Sequence, residues 1–315
     1  MNRYSTLLLL FLMLFSQQVF SNRIDSLKTD EDVKIFLKSI NADLATKSFV
    51  NYELKPADTT AKYLNCEGIF KSWDIRNWEK ADITNDGLTD LIFIGHNSGY
   101  DALAYVDMGN DNFQLFRFSK NTFEDCELVK PIKVDSVNYL RVFQKKTVPD
   151  HDSKELFAYK EVKVVDTLVF KFNSFIELGR PALDEIESIE INTSGCFGSC
   201  PVQKLKLLKD GRAYYEGLAY TSQIGKSYKK LSKKHFEELA ELLNYIDVKH
   251  LRNNYQVNWT DDQTATLIVT FKDQSKKIIR DYGMQGTFGL TAVYDKLMKL
   301  GKEWGSLLHS AIIRI

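Results

Sequence analysis

Two closely spaced cysteines place the tightest constraint on how this chain can fold. Cys196 and Cys200 lie in the stretch GCFGSCP, with Gly195 before the first cysteine and Pro201 directly after the second. A disulfide between them would close a very short loop, so its main effect would be to fix a tight turn. Gly195 and Gly198 would supply backbone angles that other residues resist, and Pro201 would lead into a strand.

The first residues indicate the compartment in which these cysteines fold. Arg3 precedes an apolar run from Leu7 to Phe15, and the residues up to Ser21 suit signal peptidase. The apolar run is well short of the roughly 20 residues needed to span a bilayer. We therefore predict a signal peptide over residues 1–21. The mature protein is expected to be exported, periplasmic or extracellular, and without an integral membrane span.

An exported chain with four cysteines can form two disulfides. Three connectivities are possible. The division of the chain into two halves favours a bond between Cys66 and Cys126 and another between Cys196 and Cys200.

Length and charge limit the domain count and the partner class. The mature chain of about 294 residues is longer than one average domain. Glycine and proline interrupt the apolar pattern in ELGRPALDE, so we predict domains over residues 22–178 and 186–305. The mature chain is close to neutral, with a small acidic excess before Pro181 and three more basic than acidic residues from there onward. This balance argues against a nucleic-acid-binding protein.

The first half contains one amphipathic helix followed by strands. Apolar residues recur at helical spacing from Val33 to Leu44, and Thr29 is a candidate N-cap. Short segments rich in β-branched and aromatic residues predict strands over 91–94, 102–108, 113–118, 139–143 and 162–170. We expect a mostly antiparallel sheet with the helix packed on it.

In the second half, the sequence predicts strands, a helix, further strands and a final helix, in that order. Strands are predicted over 186–191, 202–208, 212–218, 264–271 and 277–282, and Asp210-Gly211 predicts a hairpin turn. Ser232 is expected to cap a helix, and a final helix carries apolar residues from Leu290 to Leu300. The predicted fold class is α+β, with two domains that each place helices on one face of a mainly antiparallel sheet.

The cysteine pair has a second interpretation. The CxxxCP spacing resembles the copper-binding motif of thioredoxin-fold cytochrome oxidase assembly proteins, and thiolates select Cu(I). In that fold the cysteines begin a helix, whereas Cys196 and Cys200 precede a predicted strand. A zinc site would need further ligands, and the histidines are scattered singly. A structural disulfide is the favoured interpretation, and a redox or copper site is the alternative.

The same stretch carries a family resemblance. SGCFGSCPVQKLKLLKDGRAYYEG resembles the opening of an uncharacterised family of bacterial exported domains, with a GCFGxCP signature before a strand, a DG hairpin and a YEG ending. The similarity extends over about Ile186 to Leu300. It implies a domain of unknown function and supports the domain boundary without supplying an activity.

An aspartate-rich loop is the second candidate site. In DITNDGLTDLIFIG, oxygen ligands could come from Asp82, Thr84, Asp86, the Leu88 carbonyl and Asp90, with Gly87 allowing a sharp turn. The loop resembles the calcium loop of FG-GAP and VCBS repeats, although only one copy is present and threonine replaces the usual asparagine. A structural Ca²⁺ ion is therefore predicted, against the alternative of an Asx-rich turn between two strands.

Other motifs are weaker. The run GMQGTFG precedes the last helix and could bind an anion, but a glycine-permitted turn is the simpler interpretation. We find no GxSxG, HExxH, P-loop or dinucleotide fingerprint. The leading hypothesis is an exported, non-enzymatic binding or envelope-associated protein with an unknown protein or glycan partner. A periplasmic redox or copper-handling protein using Cys196 and Cys200 is the alternative, and a hydrolase built from dispersed carboxylates is the third.

Overall fold

The computed structural model describes residues 22–44, 52–120, 126–150, 152–153 and 158–305. The predicted signal peptide, residues 1–21, lies outside these ranges. Within them, the chain is mostly β-sheet, with three sheets and a smaller share of helix, which is compatible with the predicted α+β class. Within the same ranges, no helix is long and apolar enough to cross a membrane.

Three helices and a four-stranded sheet begin the chain. Helix α1 covers Asp30–Leu44, α2 covers Ala57–Tyr63, and a 3₁₀ turn at Cys66–Gly68 leads into the one-turn helix α3, Ile69–Ser72. The antiparallel sheet has the order β1-β2-β3-β4. Its strands are β1 Trp78–Ala81, β2 Asp90–Asn97, β3 Gly99–Asp107 and β4 Phe113–Arg117.

The predicted cap of α1 is confirmed by a reciprocal pair of hydrogen bonds. The Thr29 hydroxyl accepts from the Asp32 backbone N–H at 3.2 Å, and the Asp32 carboxylate accepts from the Thr29 N–H at 2.8 Å. This arrangement is a capping box with aspartate at the third helical position. It satisfies backbone donors that the first turn of the helix leaves free.

Both faces of the first sheet are covered. One hydrophobic cluster joins Phe36 and Leu37 of α1 to Leu91 and Phe93 of β2. A second cluster joins Ile92 and other residues of the opposite face to the second sheet. Burial on both faces explains why β2 reads as a continuous apolar run rather than as an alternating pattern.

The sequence predicted one sheet in the first half, and the structure has two. The second antiparallel sheet, in the order β5-β6-β7-β8, contains β5 Cys126–Val134, β6 Val137–Pro149, β7 Tyr159–Lys171 and β8 Ser174–Glu177. Strands β6 and β7 pair from Leu140 to Pro149, well beyond the short apolar segments that predicted them. Much of β7 is exposed, so its apolar pattern is incomplete along the strand.

The last part of the chain forms a seven-stranded sheet and two long helices. Its strands are β9 Ile186–Thr193, β10 Val202–Leu208, β11 Arg212–Ala219, β12 Gly225–Lys230, β13 Asn254–Gln256, β14 Thr264–Phe271 and β15 Lys276–Tyr282. The order is β12-β11-β10-β9-β14-β15-β13, and every pairing is antiparallel except that of β13 with β15. Helix α4 covers Lys233–Tyr245, a 3₁₀ turn covers Val248–His250, and α5 covers Phe288–Lys302. The sequence did not predict β12 or β13.

Serine and threonine cap both long helices. The Ser232 hydroxyl accepts from the Lys234 N–H at 3.4 Å, as predicted, and the Thr287 hydroxyl accepts from the Leu290 N–H at 3.0 Å. One face of the sheet shares a hydrophobic cluster with both helices, which includes Ile191, Leu243 and Val293. The alternation along the strands therefore gives the sheet one face that is buried against the helices and a second face that is not.

Candidate functional site

The loop that carries Cys196 and Cys200 joins β9 to β10, two neighbouring strands inside the seven-stranded sheet. The two cysteines form a disulfide, with their Cα atoms 5.7 Å apart. Gly198 has a φ of +148°, a region that favours glycine, whereas Gly195 does not have a positive φ. The predicted need for glycine is therefore confirmed at Gly198 and wrong at Gly195.

Hydrogen bonds from a neighbouring loop hold the disulfide loop at both ends. The side-chain amide of Gln263 donates to the Ser194 carbonyl at 2.9 Å and to the Pro201 carbonyl at 2.7 Å. The Phe197 N–H donates to the Asp261 carbonyl at 2.9 Å. Gln263 is buried. The sequence did not identify it as a functional residue, because a glutamine in a polar stretch before a strand is not distinctive. Together with the disulfide, these contacts immobilise the loop.

A shallow cleft opens beside the loop. Its volume is about 440 Å³, and it is lined by Gly195, Cys196, Phe197, Asp261, Asp262 and Tyr282. The Phe197 side chain is 89% exposed. The Asp262 carboxylate accepts from the Trp259 indole N–H at 3.0 Å, and the Tyr282 hydroxyl accepts from the Asp262 N–H at 3.1 Å. The cleft therefore combines an exposed ring with fixed acidic groups.

The cleft continues onto the second face of the seven-stranded sheet through Tyr282, which pairs with Thr264. We call this surface the open face, and strand register arranges it in rows. The central row is Tyr228, Tyr214, Lys206, Glu190, Ile268 and Ile278. The row nearer the cleft is Lys226, Glu216, Lys204, Asn192, Thr266 and Arg280. The row on the far side includes Arg212, Lys230, Thr270 and Lys276.

Side chains of the open face extend into solvent. Tyr228, on the edge strand β12, is 57% exposed, its cross-strand neighbour Tyr214 is 42% exposed, and Ile278 is 50% exposed. In the parts of the chain that the structure describes, no helix or strand shields these residues. Large apolar groups at neighbouring positions on an uncovered face are typical of an interaction surface.

The surroundings of Cys196 and Cys200 bear on the redox interpretation. A strand, β10, follows Cys200, so neither cysteine lies at a helix N-terminus, where a thiolate would be stabilised. Both cysteines are partly exposed. The disulfide is thus within reach of a reductant, but the helix dipole that lowers a thiol pKa in thioredoxin-like proteins is missing at this position.

The second disulfide lies in different surroundings. Cys66, in the 3₁₀ turn before α3, bonds Cys126 at the start of β5 across 60 positions of the sequence. Cys66 is only 6% exposed and belongs to a hydrophobic cluster with Phe70 and Leu128. The predicted pairing of the four cysteines is confirmed.

Four of the five predicted calcium ligands lie in the loop between β1 and β2. The Asp82 carboxylate accepts from the backbone N–H groups of Asp86 at 3.2 Å and Gly87 at 2.9 Å, and from the Thr84 hydroxyl at 3.4 Å. Asp86 accepts from the Leu88 N–H at 2.9 Å. Gly87 has a φ of +90°, which confirms the predicted sharp turn. The Asp86 bond defines an Asx turn, and the Asp82 bonds close the loop over four and five residues.

The fifth predicted ligand, Asp90, is fully buried. Its carboxylate accepts from the N–H groups of Ile83 at 2.8 Å and Asp107 at 3.0 Å. Burial raises the pKa of Asp90 to about 7, and the nearby Asp86 and Asp82 charges also raise it. Across the described residues, no three Asp, Glu, His or Cys side chains form a group that could hold a metal ion. The calcium site stays a prediction.

The start of helix α5 receives an anion from the chain itself. The Glu177 carboxylate, at the end of β8, accepts from the Phe288 N–H at 2.6 Å and from the Gly289 N–H at 2.8 Å. Lys120 donates to the Gln285 carbonyl at 2.9 Å, and burial lowers its pKa to about 8. The run GMQGTFG thus leads into a helix whose N-terminus is already neutralised.

The last part of the chain is therefore an α+β unit with one uncovered sheet face and a disulfide loop at the edge of that face. Residues 187–301, from β9 into α5, match a family described as a domain of unknown function (DUF6438). No curated protein and no solved structure matches the chain. The family match confirms an uncharacterised domain in the C-terminal part. The GCFGxCP signature and the FG-GAP-like loop remain resemblances.

Proposed function

We propose that this chain is an exported, non-enzymatic binding protein, associated with the cell envelope or secreted, and that its C-terminal domain binds a partner at the disulfide loop. The proposal includes cleavage of residues 1–21 and two separate domains, 22–178 and 186–305. The partner is a protein or a glycan.

One observation carries this proposal, which is the exposure of Phe197 on an immobilised loop. The ring is 89% exposed, while the disulfide, the Phe197 N–H bond to Asp261 and the Gln263 amide restrict the backbone that carries it. Aromatic side chains are frequent anchors of binding interfaces. An anchor whose backbone is already fixed loses little conformational entropy on binding, so more of the contact energy becomes affinity.

The cleft beside Phe197 defines the polar part of the interface. Asp261 and Asp262 place acidic groups next to the ring, and Tyr282 closes the side toward the open face. A partner that covers Phe197 with an apolar or ring surface would therefore present hydrogen-bond donors or a positive charge to the cleft. Fixed polar groups around an apolar anchor give orientation and specificity.

A photo-crosslinking experiment tests this proposal. The full chain is produced in its own cells with p-benzoylphenylalanine in place of Phe197, irradiated, purified, and analysed by mass spectrometry. We expect a discrete covalent adduct at this position. The matched control replaces Leu183, which is 95% exposed in the segment between β8 and β9, and should give no such adduct.

Identical adducts from both positions would show that the crosslinks report exposure alone and would overturn the proposal, as would the lack of any adduct at position 197. Turnover of a substrate that depends on one residue would equally overturn the non-enzymatic assignment.

A redox or copper-handling role for Cys196 and Cys200 is the second candidate. The observation in its favour is that both cysteines are partly exposed, unlike Cys66. The reduction potential of this disulfide separates the two candidates, because structural disulfides lie below about −300 mV and catalytic ones lie well above that value.

A further inference from the structure

We propose that the open face of the seven-stranded sheet is a binding site for an acidic polysaccharide. The inference rests on the proposed binding function and adds a ligand class and a second surface. The basic side chains of this face are Lys204, Lys206, Arg212, Lys226, Lys230, Lys276 and Arg280. Its acidic side chains are Glu190 and Glu216.

Ion pairs on this face leave positive charge uncompensated. Glu216 lies 3.4 Å from Lys204 and 3.7 Å from Lys226, so one carboxylate serves two lysines. Glu190 pairs with Lys206 at 3.6 Å. Arg212 pairs at 2.7 Å with Asp210 of the adjoining turn. Among the described residues, no ion pair includes Lys276 or Arg280. Such exposed pairs are weak, so the lysines can exchange their partners for a ligand.

The positive charge is concentrated by the fold rather than by the composition. From Pro181 onward, basic residues exceed acidic ones by only three, and the open face alone has a larger excess. The rest of this region is therefore net acidic, as Asp261 and Asp262 in the cleft illustrate. Charge of one sign on one surface attracts a ligand of the opposite sign and speeds its association.

The row pattern suits a chain of sugars. The Tyr214 and Tyr228 rings lie 5.5 Å apart in the central row, and charged rows flank that row on both sides. Adjacent strands are about 4.8 Å apart, and alternate residues of a strand are about 7 Å apart. The strand spacing is close to the advance of one sugar in an extended polysaccharide. Rings could therefore contact sugar faces while the flanking cations pair with carboxylates or sulfates.

Other polyanions fit this pattern less well. Duplex DNA presents phosphates on a convex surface and offers no ring faces to the tyrosines of the central row. A membrane surface presents headgroup charges to the flanking cations but offers no ring faces to Tyr214 and Tyr228 of the central row. An acidic polysaccharide uses the rings and the cations together.

The test measures binding of dextran sulfate and polygalacturonate to the mature protein by calorimetry, with uncharged dextran as the reference. A triple variant, Lys206→Gln, Lys276→Gln and Arg280→Gln, removes charge from the open face. The matched control removes as many charges from helices with Lys233→Gln, Lys234→Gln and Lys302→Gln. Melting temperature and circular dichroism confirm that both variants fold.

We expect the native protein and the control to bind both anionic polymers, with affinity falling as salt rises from about 50 to about 200 mM. The triple variant should bind on the order of tenfold more weakly or worse and show a smaller salt dependence. Tyr214→Ala should weaken binding to polygalacturonate while the salt dependence stays the same.

Equal losses in the triple variant and the control would overturn the inference. So would tighter binding of a 20-base-pair duplex or of anionic phosphatidylserine vesicles than of either polysaccharide. Crosslinking at position 197 provides an independent readout of the proposed function. If the position-197 adduct forms while neither polysaccharide binds, only the open-face inference fails.

Discussion

The two parts of the molecule treat similar chemical groups in opposite ways. In the first part, the Cys66–Cys126 disulfide lies in a hydrophobic cluster, Asp90 is fully buried, and the first sheet is covered on both faces. In the C-terminal domain, the Cys196–Cys200 disulfide is partly exposed and Phe197 extends into solvent. The same residue types therefore stabilise one part and remain accessible in the other.

This contrast indicates where a partner can bind. Groups that are buried and hydrogen-bonded contribute to folding, and their substitution is expected to change stability. Groups held in place yet exposed contribute less to folding, so their substitution should change binding and cost less stability. The contrast fails if any of the following measurements reverses this assignment.

Of the two disulfides, Cys66–Cys126 is expected to have the larger effect on stability. Replacing both Cys66 and Cys126 with alanine should lower the free energy of unfolding by about 4 kcal/mol, because the bond closes a long loop. Removing Cys196 and Cys200 in the same way should lower it by about 2 kcal/mol. Urea denaturation of the protein measures both values. A larger loss from the exposed pair would reverse the roles of the two disulfides.

Asp90→Asn should remove a pH dependence of stability. The folded-state pKa of about 7 lies above the ordinary value of 3.8, so the folded state retains a proton that the unfolded state releases between these values. The contribution of Asp90 to stability is therefore highest below about pH 4 and falls as pH rises to about 7, by roughly 2–4 kcal/mol.

Urea denaturation of Asp90→Asn between pH 4 and 8 measures this change. The control is Asp111→Asn, in the same part of the chain, whose side chain is 61% exposed. We expect the difference between Asp90→Asn and the native protein to vary with pH, and the difference for Asp111→Asn to stay constant. Parallel curves for both variants would mean that Asp90 is not a buried titrating carboxyl.

The reduction potentials of the two disulfides test whether both bonds are structural. We expect neither pair to react with an alkylating reagent in the folded protein without reductant. At equilibrium with glutathione or dithiothreitol buffers, both bonds should have potentials below about −300 mV. Mass spectrometry of alkylated peptides gives both values. A potential near −200 mV for Cys196–Cys200 would favour the redox interpretation.

The sequence predicted local structure in the C-terminal domain well because the alternation there is clean. Val202–Leu208 and Thr264–Phe271 bury every second residue against the helices, and their observed bounds equal the predicted ones. In the first part, β2 is buried on both faces and β7 is largely exposed, so neither strand alternates fully. The pattern there did not reveal that the strands form two sheets.

The binding surfaces depended on pairings that the sequence does not contain. Lys204 and Lys276 are 72 positions apart, yet they lie on one surface, in the two rows that flank the central row, because β9, β10, β14 and β15 are aligned in one sheet. The near-neutral composition of the chain gave no indication of the basic excess on the open face. The anchoring role of Gln263 was equally hidden, since it depends on two carbonyls more than 60 positions away.

Phe197→Ser is expected to change the free energy of unfolding by no more than about 0.5 kcal/mol, because the ring is exposed and leaves no cavity. Phe236→Ser, at a position that is 4% exposed in the main cluster of the same domain, should instead cost several kcal/mol. Thermal and urea denaturation compare the two variants. A large loss from Phe197→Ser would place the ring in the fold rather than in an interface.

The smallest effect is expected at the aspartate loop, where calcium is the remaining question. Backbone N–H groups already occupy carboxylate oxygens of Asp82, Asp86 and Asp90, so the loop closes without a cation. If these bonds alone shape the loop, 1 mM Ca²⁺, compared with chelator, should shift the melting temperature by less than about 1 °C. Because an ion that binds only the folded state must stabilise it, a rise of several degrees would establish a calcium site. In that case Asp86→Asn should abolish the rise, and Asp111→Asn, which removes an acidic group outside the loop, should preserve it.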